Sequence, residues 1–182
     1  EAIQAVVGSS DPTRPVALHE PDFTGTEAWN YVKECLDTGW VSSAGEWVNR
    51  FENELSTKTG ATNVIAVTNG TVALRLALHL VGVKPGDEVL IPPISFVATA
   101  NAVAHLGVYP HFIDVQPDTL GMDPDSLANR LDEVGKNQNG MLINRETGRR
   151  LAAILPVHVF GHPADSKRLR NIADFYKLPL VE

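Results

Sequence analysis

The sequence predicts an α/β fold: a mainly parallel sheet covered by helices on both faces, a three-layer sandwich. From Asn63 onward, short β-branched runs alternate with helical patterns of ten or more residues. Successive strands are then joined by crossovers, which makes them parallel and buries both sheet faces. Size and composition agree with one such core: 182 residues, 43% hydrophobic and 20% charged, near the soluble globular average. The chain reads as an arm over 1–22 followed by one domain over 23–182.

Residues 1–22 are loosely patterned around Pro12, Pro15 and Pro21, so an extended arm is expected. Thr24-Gly25-Thr26-Glu27 has capping-box spacing, with Trp29, Val32 and Leu36 on one face before Gly39: an amphipathic helix. Ser43-Ala44-Gly45-Glu46 repeats the spacing ahead of Trp47, Val48, Phe51 and Leu55, with Gly60 beyond. The loop between them, 39–45, mixes Trp40 with the hydroxyls of Ser42 and Ser43. Such a loop suits a sugar or nucleotide, and a plain helix–helix connection explains it equally.

Residues 64–68 read as a strand. Residues 71–81 form a helix apolar nearly all round, hence buried, with Arg75 and His79 on its one wet side. Lys84-Pro85-Gly86-Asp87 is a turn, 88–91 a strand, and 95–106 a mostly apolar helix closed by Gly107. A strand follows at 111–115. Asp123-Pro124 then supplies an N-cap and an N1 proline for a helix to about 134. Residues 135–148 are polar, an exposed loop or a small hairpin. Residues 151–160 are a strand and 163–176 a helix with Leu169, Ile172, Ala173 and Tyr176 inward; a last strand starts at 178.

Ligands of parallel sheets sit beyond the carboxyl ends of the strands, where residues 68–71, 91–96 and 158–161 are all expected. At Val67-Thr68-Asn69-Gly70-Thr71 a strand turns directly into a helix. The unpaired N–H groups there, at the positive end of the helix dipole, form an anion site. Gly70 lets the backbone approach a bound group, while Thr68, Asn69 and Thr71 offer short polar side chains. Asn69 or Thr71 acting as an N-cap alone is the competing account.

Other chemistries lack their signatures. There is no G-x-G-x-x-G, no G-x-x-x-x-G-K-[ST], no G-x-S-x-G and no H-E-x-x-H. The six histidines lack metal-ligand spacing, and Gly161 and Pro163 break any helix shared by His158 and His162, so no metal is expected. A net charge of −7 with no basic stripe argues against nucleic acid, and Arg149-Arg150 is read as flanking a strand. No apolar run is long enough to cross a bilayer. A single cysteine, Cys35, and no basic leader before an apolar run fit a cytoplasmic setting.

From Gly45 to Glu182 the chain resembles the sugar aminotransferases of the fold type I, pyridoxal-phosphate-dependent superfamily, the DegT/DnrJ/EryC1/StrS group. Besides the Gly39–Gly45 loop, the resembling pieces are Thr68-Asn69-Gly70-Thr71-Val72-Ala73-Leu74, Pro85-Gly86-Asp87-Glu88-Val89, Ser95-Phe96-Val97-Ala98-Thr99-Ala100-Asn101, Phe112-Ile113-Asp114-Val115 and Pro156-Val157-His158-Val159-Phe160-Gly161-His162-Pro163-Ala164-Asp165. The stretch 16–21 and the loop around Thr147-Gly148-Arg149-Arg150 look most like the branch that makes 4-amino sugars of the legionaminic-acid type.

The resemblance implies the N-terminal part of the fold type I large domain, binding pyridoxal 5′-phosphate through Gly70, Thr71 and Val72 at the phosphate, Phe96 over the ring, and Asn101 and His158 nearby. A core role for Phe96 is the ordinary alternative. Trp40, Ser42, Ser43 and Asn69 match the side that meets the nucleotide-sugar. It further implies a homodimer with the site at the interface, and amino transfer from glutamate to the 4-keto carbon of a nucleotide-linked deoxysugar.

In this family the last strand is followed by the acidic residue that protonates the pyridine nitrogen and later by the Schiff-base lysine; here the sequence stops at Val181-Glu182. None of Lys33, Lys58, Lys84, Lys136, Lys167 and Lys177 is placed to be desolvated, so no catalytic residue is expected within the chain. The expectation is a part of a longer enzyme. A binding module that keeps the phosphate cradle is the alternative; a nucleotide-sugar dehydratase using NAD is disfavoured by the absent glycine fingerprint.

Overall fold

Two short helices lead the described chain, and each stops at a glycine. The computed structural model describes residues 21–182, so residues 1–20 of the expected arm, and with them 16–20 of the stretch 16–21, lie outside the described residues. Helix α1 (Ala28–Thr38) ends at Gly39, φ 75°, and α2 (Glu46–Thr59) at Gly60, φ 74°; both are left-handed positions that glycine adopts at no steric cost. The expected capping boxes do not form. The N-cap positions are Glu27 and Gly45 rather than Thr24 and Ser43, with no side-chain cap at either. Tyr31 and Trp47 bring their rings to 4.3 Å, with the Arg50 guanidinium 4.9 Å from the Trp47 ring. These helices belong to a compact unit that runs through Ala66.

A second unit runs from Val67 to Glu182. It is built on three parallel strands, β1 (Glu88–Ile91), β2 (Tyr109–Phe112) and β5 (Leu151–Ile154), in the order β2-β1-β5. Period-two alternation splits β1 between two cores. Val89 and Ile91 join Leu78 of α3 (Gly70–Leu80) and Val103 of α4 (Val97–Ala104) on one face. Leu90 joins Leu127 and Leu131 of α5 (Pro124–Val134) and Leu169 and Ala173 of α6 (Ser166–Tyr176) on the other. This is the expected three-layer sandwich. On β5 the register slips at Ala152: Glu88 pairs with Leu151 and Val89 with Ala153. The bulge sends Leu151 and Ile154 to one core and Ala152, Ala153 and Leu155 to the other.

Strand β2 is the edge. Tyr109 and Ile113 turn their N–H groups toward β1, so the ring nitrogen of Pro110 points outward, where no ladder bond is lost.

Residues 135–148 resolve to a hairpin, β3 (Gly135–Gln138) and β4 (Met141–Asn144), closed by Asn139 at φ 54° and Gly140 at φ 79°. Two central residues with positive φ match the right-handed strand twist.

Several expectations are corrected. Residues 64–68 form no strand, since no ladder partner meets them among the described residues and Ile65 is 72% exposed. The strand expected over 151–160 stops at Ile154, and β2 begins and ends earlier than 111–115. Residues 178–182 contribute a single parallel bridge, Ile154 to Leu180, held by bonds of 2.9 Å on each side. Helix α3 is not buried all round: Leu78 is its one buried residue, and Val72, Leu76, Arg75 and His79 line an open concavity of about 340 Å³ with Leu106.

The connection from α3 into the start of β1 makes α3 antiparallel to the strand, so its N-terminus lies toward the sheet's carboxyl edge. Helix α4 follows β1 and also begins there.

Candidate functional site

At that carboxyl edge Asn69 caps α3. Its backbone is extended and its Oδ1 accepts the Val72 N–H at 3.0 Å, while its carbonyl accepts from Ala73. The capping account is therefore correct for Asn69, and the Val72 amide is already partnered rather than free for an anion. The amides of Gly70 and Thr71 have no acceptor among the described residues. A Cβ built on Gly70 would meet nothing within 4 Å, so a side chain at this position would stand in open space.

Phe96 is the N-cap residue of α4 and is 78% exposed rather than in the core. Asn101, one turn inside α4, is exposed, which removes the cost of burying an amide without partners. His158 sits past the end of β5, before a 3₁₀ turn (Val159–Gly161) in which Phe160 takes the left-handed φ of 53°. Its Nδ1 accepts the Ala164 N–H at 3.1 Å, and its Nε2 lies 3.5 Å from Glu182 Oε1. Sequence reasoning missed Glu182 and Ser166 as members of this edge; Ser166 Oγ donates to Glu182 Oε1 at 2.6 Å.

Trp40, Ser42 and Ser43 belong to the other unit. There Trp40 and Ser42 line a concavity of about 250 Å³ with Cys35, Val41, Gly45, Glu46, Trp47 and Val48. All six lysines are exposed, so none is desolvated enough to serve as an amine nucleophile.

The amino edge of the sheet carries charge of a different kind. Buried Glu88 accepts from Thr147 Oγ1 at 2.5 Å, Asn144 Nδ2 at 2.8 Å and His111 Nδ1 at 2.8 Å. Arg130 Nε donates to His111 Nε2 at 3.1 Å, which leaves the ring proton on Nδ1 for Glu88. Burial pushes the Glu88 carboxyl up, but these three donors outweigh it and hold it below the usual glutamate range. Arg150 pairs with Asp87 at 2.5 Å, and Arg149 stacks 3.9 Å from the Tyr109 ring centroid. The Arg149-Arg150 pair therefore ties the β4–β5 connection to the sheet. Among the described residues no cluster of potential metal ligands occurs.

Helices on both faces of a parallel sheet define an α/β protein, with two unpaired backbone amides at the start of α3. The chain belongs to the DegT/DnrJ/EryC1/StrS aminotransferase family, whose model matches residues 23–182. It is 32% identical over 167 residues to GDP-perosamine synthase of Escherichia coli O157:H7, covering 92% of this chain and 41% of that protein. It is 37% identical over 153 residues to 3-oxo-glucose-6-phosphate:glutamate aminotransferase of Bacillus subtilis (strain 168), covering 84% of this chain and 31% of that one. Among solved structures, NtdA from Bacillus subtilis with bound cofactor PMP aligns with a TM-score of 0.69 and 32% identity over 93% of this chain and 37% of that chain. The chain spans about two fifths of the length of the perosamine synthases it matches.

Proposed function

We propose that the whole protein transfers an amino group from glutamate to the 4-keto carbon of a nucleotide-linked deoxysugar, using pyridoxal 5′-phosphate, within the branch that makes 4-amino sugars. Residues 23–182 would form the N-terminal portion of the cofactor-binding large domain. The observation that carries this reading is the carboxyl edge: the amides of Gly70 and Thr71 have no partner among the described residues, a Cβ on Gly70 would meet nothing within 4 Å, and the exposed Phe96 begins the neighbouring helix. These residues fit an anionic, ring-bearing cofactor.

When bound, the cofactor supplies an electron sink for the amino transfer. The chain's own residues hold and orient it. Gly70 and Thr71 would donate to the phosphate at the positive helix end. Asn69 fixes the first turn of α3 and keeps its Nδ2 donors for the sugar side. Phe96 would cover one face of the ring, and Asn101 offers an exposed amide on α4. His158 stands at the edge of the same site. Trp40, Ser42 and Ser43 are assigned to the nucleotide-sugar.

A homodimer with the site at its interface is supported by the exposed apolar groups Phe96, Val97 and Phe160. No helix among the described residues is long and apolar enough to cross a membrane; a cytoplasmic location is proposed.

The test is titration of the whole protein with cofactor, followed by its visible absorbance before and after addition of glutamate. Saturable binding and a spectral change with glutamate are expected. Gly70→Val, which sets a branched side chain beside the two amides where a Cβ meets nothing within 4 Å, is expected to weaken binding strongly while leaving thermal stability nearly unchanged. Cofactor held without response to glutamate or a keto-sugar supports a binding module instead.

A further inference from the structure

We propose that His111 and Arg130 form an acid-sensitive latch at the amino edge of the sheet: the neutral ring holds α5 to β2, and protonation of that ring releases Arg130. The latch lies at the other end of the strands from Gly70 and Phe96 and does not rest on the proposed function.

A guanidinium can only donate. Arg130 Nε, 3.1 Å from His111 Nε2, therefore requires a lone pair on that nitrogen and leaves the one ring proton on Nδ1, which lies 2.8 Å from Glu88 Oε2. The His111 side chain is only 11% exposed, so water has little room to replace either partner. Among the described residues the Arg130–His111 contact is the one side-chain hydrogen bond between α5 and β2.

A second ring proton must go to Nε2. Two donors of like charge then face each other where a hydrogen bond stood, while the bond from Nδ1–H to Glu88 comes to join opposite charges. Protonation trades one partner for the other: the ring tightens on β1 and lets α5 go.

The charged groups around the ring allow this trade. On β1, Glu88 is held by Thr147 at 2.5 Å and Asn144 at 2.8 Å, with Arg149 Nη1 3.6 Å from its Oε1. These donors and the ring keep its carboxyl below the usual glutamate range, so it remains anionic across the span in which imidazoles titrate. On β2, the Tyr109 ring is covered by the Arg149 guanidinium at 3.9 Å. Arg130 has further partners, Glu133 2.8 Å from Nη1 and Glu146 2.6 Å from Nη2, both more than half exposed. Once freed from the ring it keeps these carboxylates near solvent, and no unpaired charge is left buried.

The test is nitrogen-15 NMR of the whole protein labelled at histidine and arginine, titrated from about pH 8 to about pH 5, the span in which imidazoles change charge. At the upper end the His111 ring is expected as the Nδ1–H tautomer. The Arg130 Nε–H should there exchange with water roughly tenfold more slowly than in free arginine, the scale of one hydrogen bond to a charged group. As the ring gains its second proton, this protection should vanish with the same midpoint while the backbone amides of β1 and β2 stay protected. In His111→Asn, Nδ2 still donates to Glu88, but nothing accepts at the Nε2 position and nothing titrates. Its Arg130 Nε–H should be unprotected throughout. An Nε2–H ring, protection that ignores the ring's protonation, full protection in His111→Asn, or loss of the β1 and β2 amides at the same midpoint overturns the proposal. If His111→Asn does not fold, the ring and Nε–H signals of the unsubstituted protein decide it.

Discussion

Asn69 shows how one side chain settles two readings at once. Short polar residues before a helix announced a cap, and a glycine among them announced an anion site; the carboxamide takes the Val72 N–H and leaves the two amides before it open. Phe96 was ambiguous for a different reason, since an aromatic residue in an apolar context belongs in the core on sequence grounds alone, and only the coordinates show its ring in solvent. Glu88 was invisible, because its donors lie 23, 56 and 59 residues away along the chain. Glu88→Ala strands three donors and is expected to cost roughly 2–4 kcal/mol of stability, measured by urea unfolding. The folded-state carboxyl titrates below its unfolded value, so this stability is present above the ordinary glutamate range and is lost as pH falls through the lowered folded value. The gap between the wild type and Glu88→Gln should accordingly close on acidification; a gap that widens would contradict this account.

At the scale of elements, periodicity identified α1, α2, α5 and α6 and the existence of β1, β2 and β5; α5 and α6 each bury one stripe, whereas α1 and α2 bury no residue and leave Trp29, Leu36 and Phe51 exposed. Strand ends were less legible: β5 stops at Ile154 because Pro156 and the 3₁₀ turn take over, not because its apolar run ends. The hairpin at 135–144 carried a usable signal in Asn139-Gly140, the dipeptide that favours two consecutive positive φ values. Gly121 marks where the segment before α5 passes the entry to α6. A Cβ there would sit 2.8 Å from the Ala164 Cβ and 3.2 Å from its Cα. Gly121→Ala should cost roughly 1–3 kcal/mol by overpacking, read from the urea midpoint at unchanged m-value. A neutral result would mean that this loop moves aside freely.

For the molecule as a whole, alternating strands and helices predicted the parallel sheet and its two covered faces, and the two buried clusters bear that out. The exposure of α3 was not legible. An apolar helix reads as buried whether its cover comes from its own unit or from elsewhere, and within its own unit only Leu78 is enclosed. If the carboxyl edge holds cofactor, binding must stabilise the folded state by mass action, about 2.7 kcal/mol at a hundredfold excess over Kd. Pyridoxal phosphate should therefore raise the unfolding temperature of the whole protein, and pyridoxal without its phosphate should raise it far less, because the Gly70 and Thr71 amides then have no anion to meet. Equal shifts from the two compounds would remove the phosphate from the account.

Pro110 limits growth of the sheet at one flank. On the outer flank of β2 the proline nitrogen offers no hydrogen, so an incoming strand from another molecule meets a gap in the donor row just where it would seek registry. On the opposite flank Leu180 bridges Ile154 of β5. Fibril-like stacking through β2 is thereby discouraged by a single imino acid.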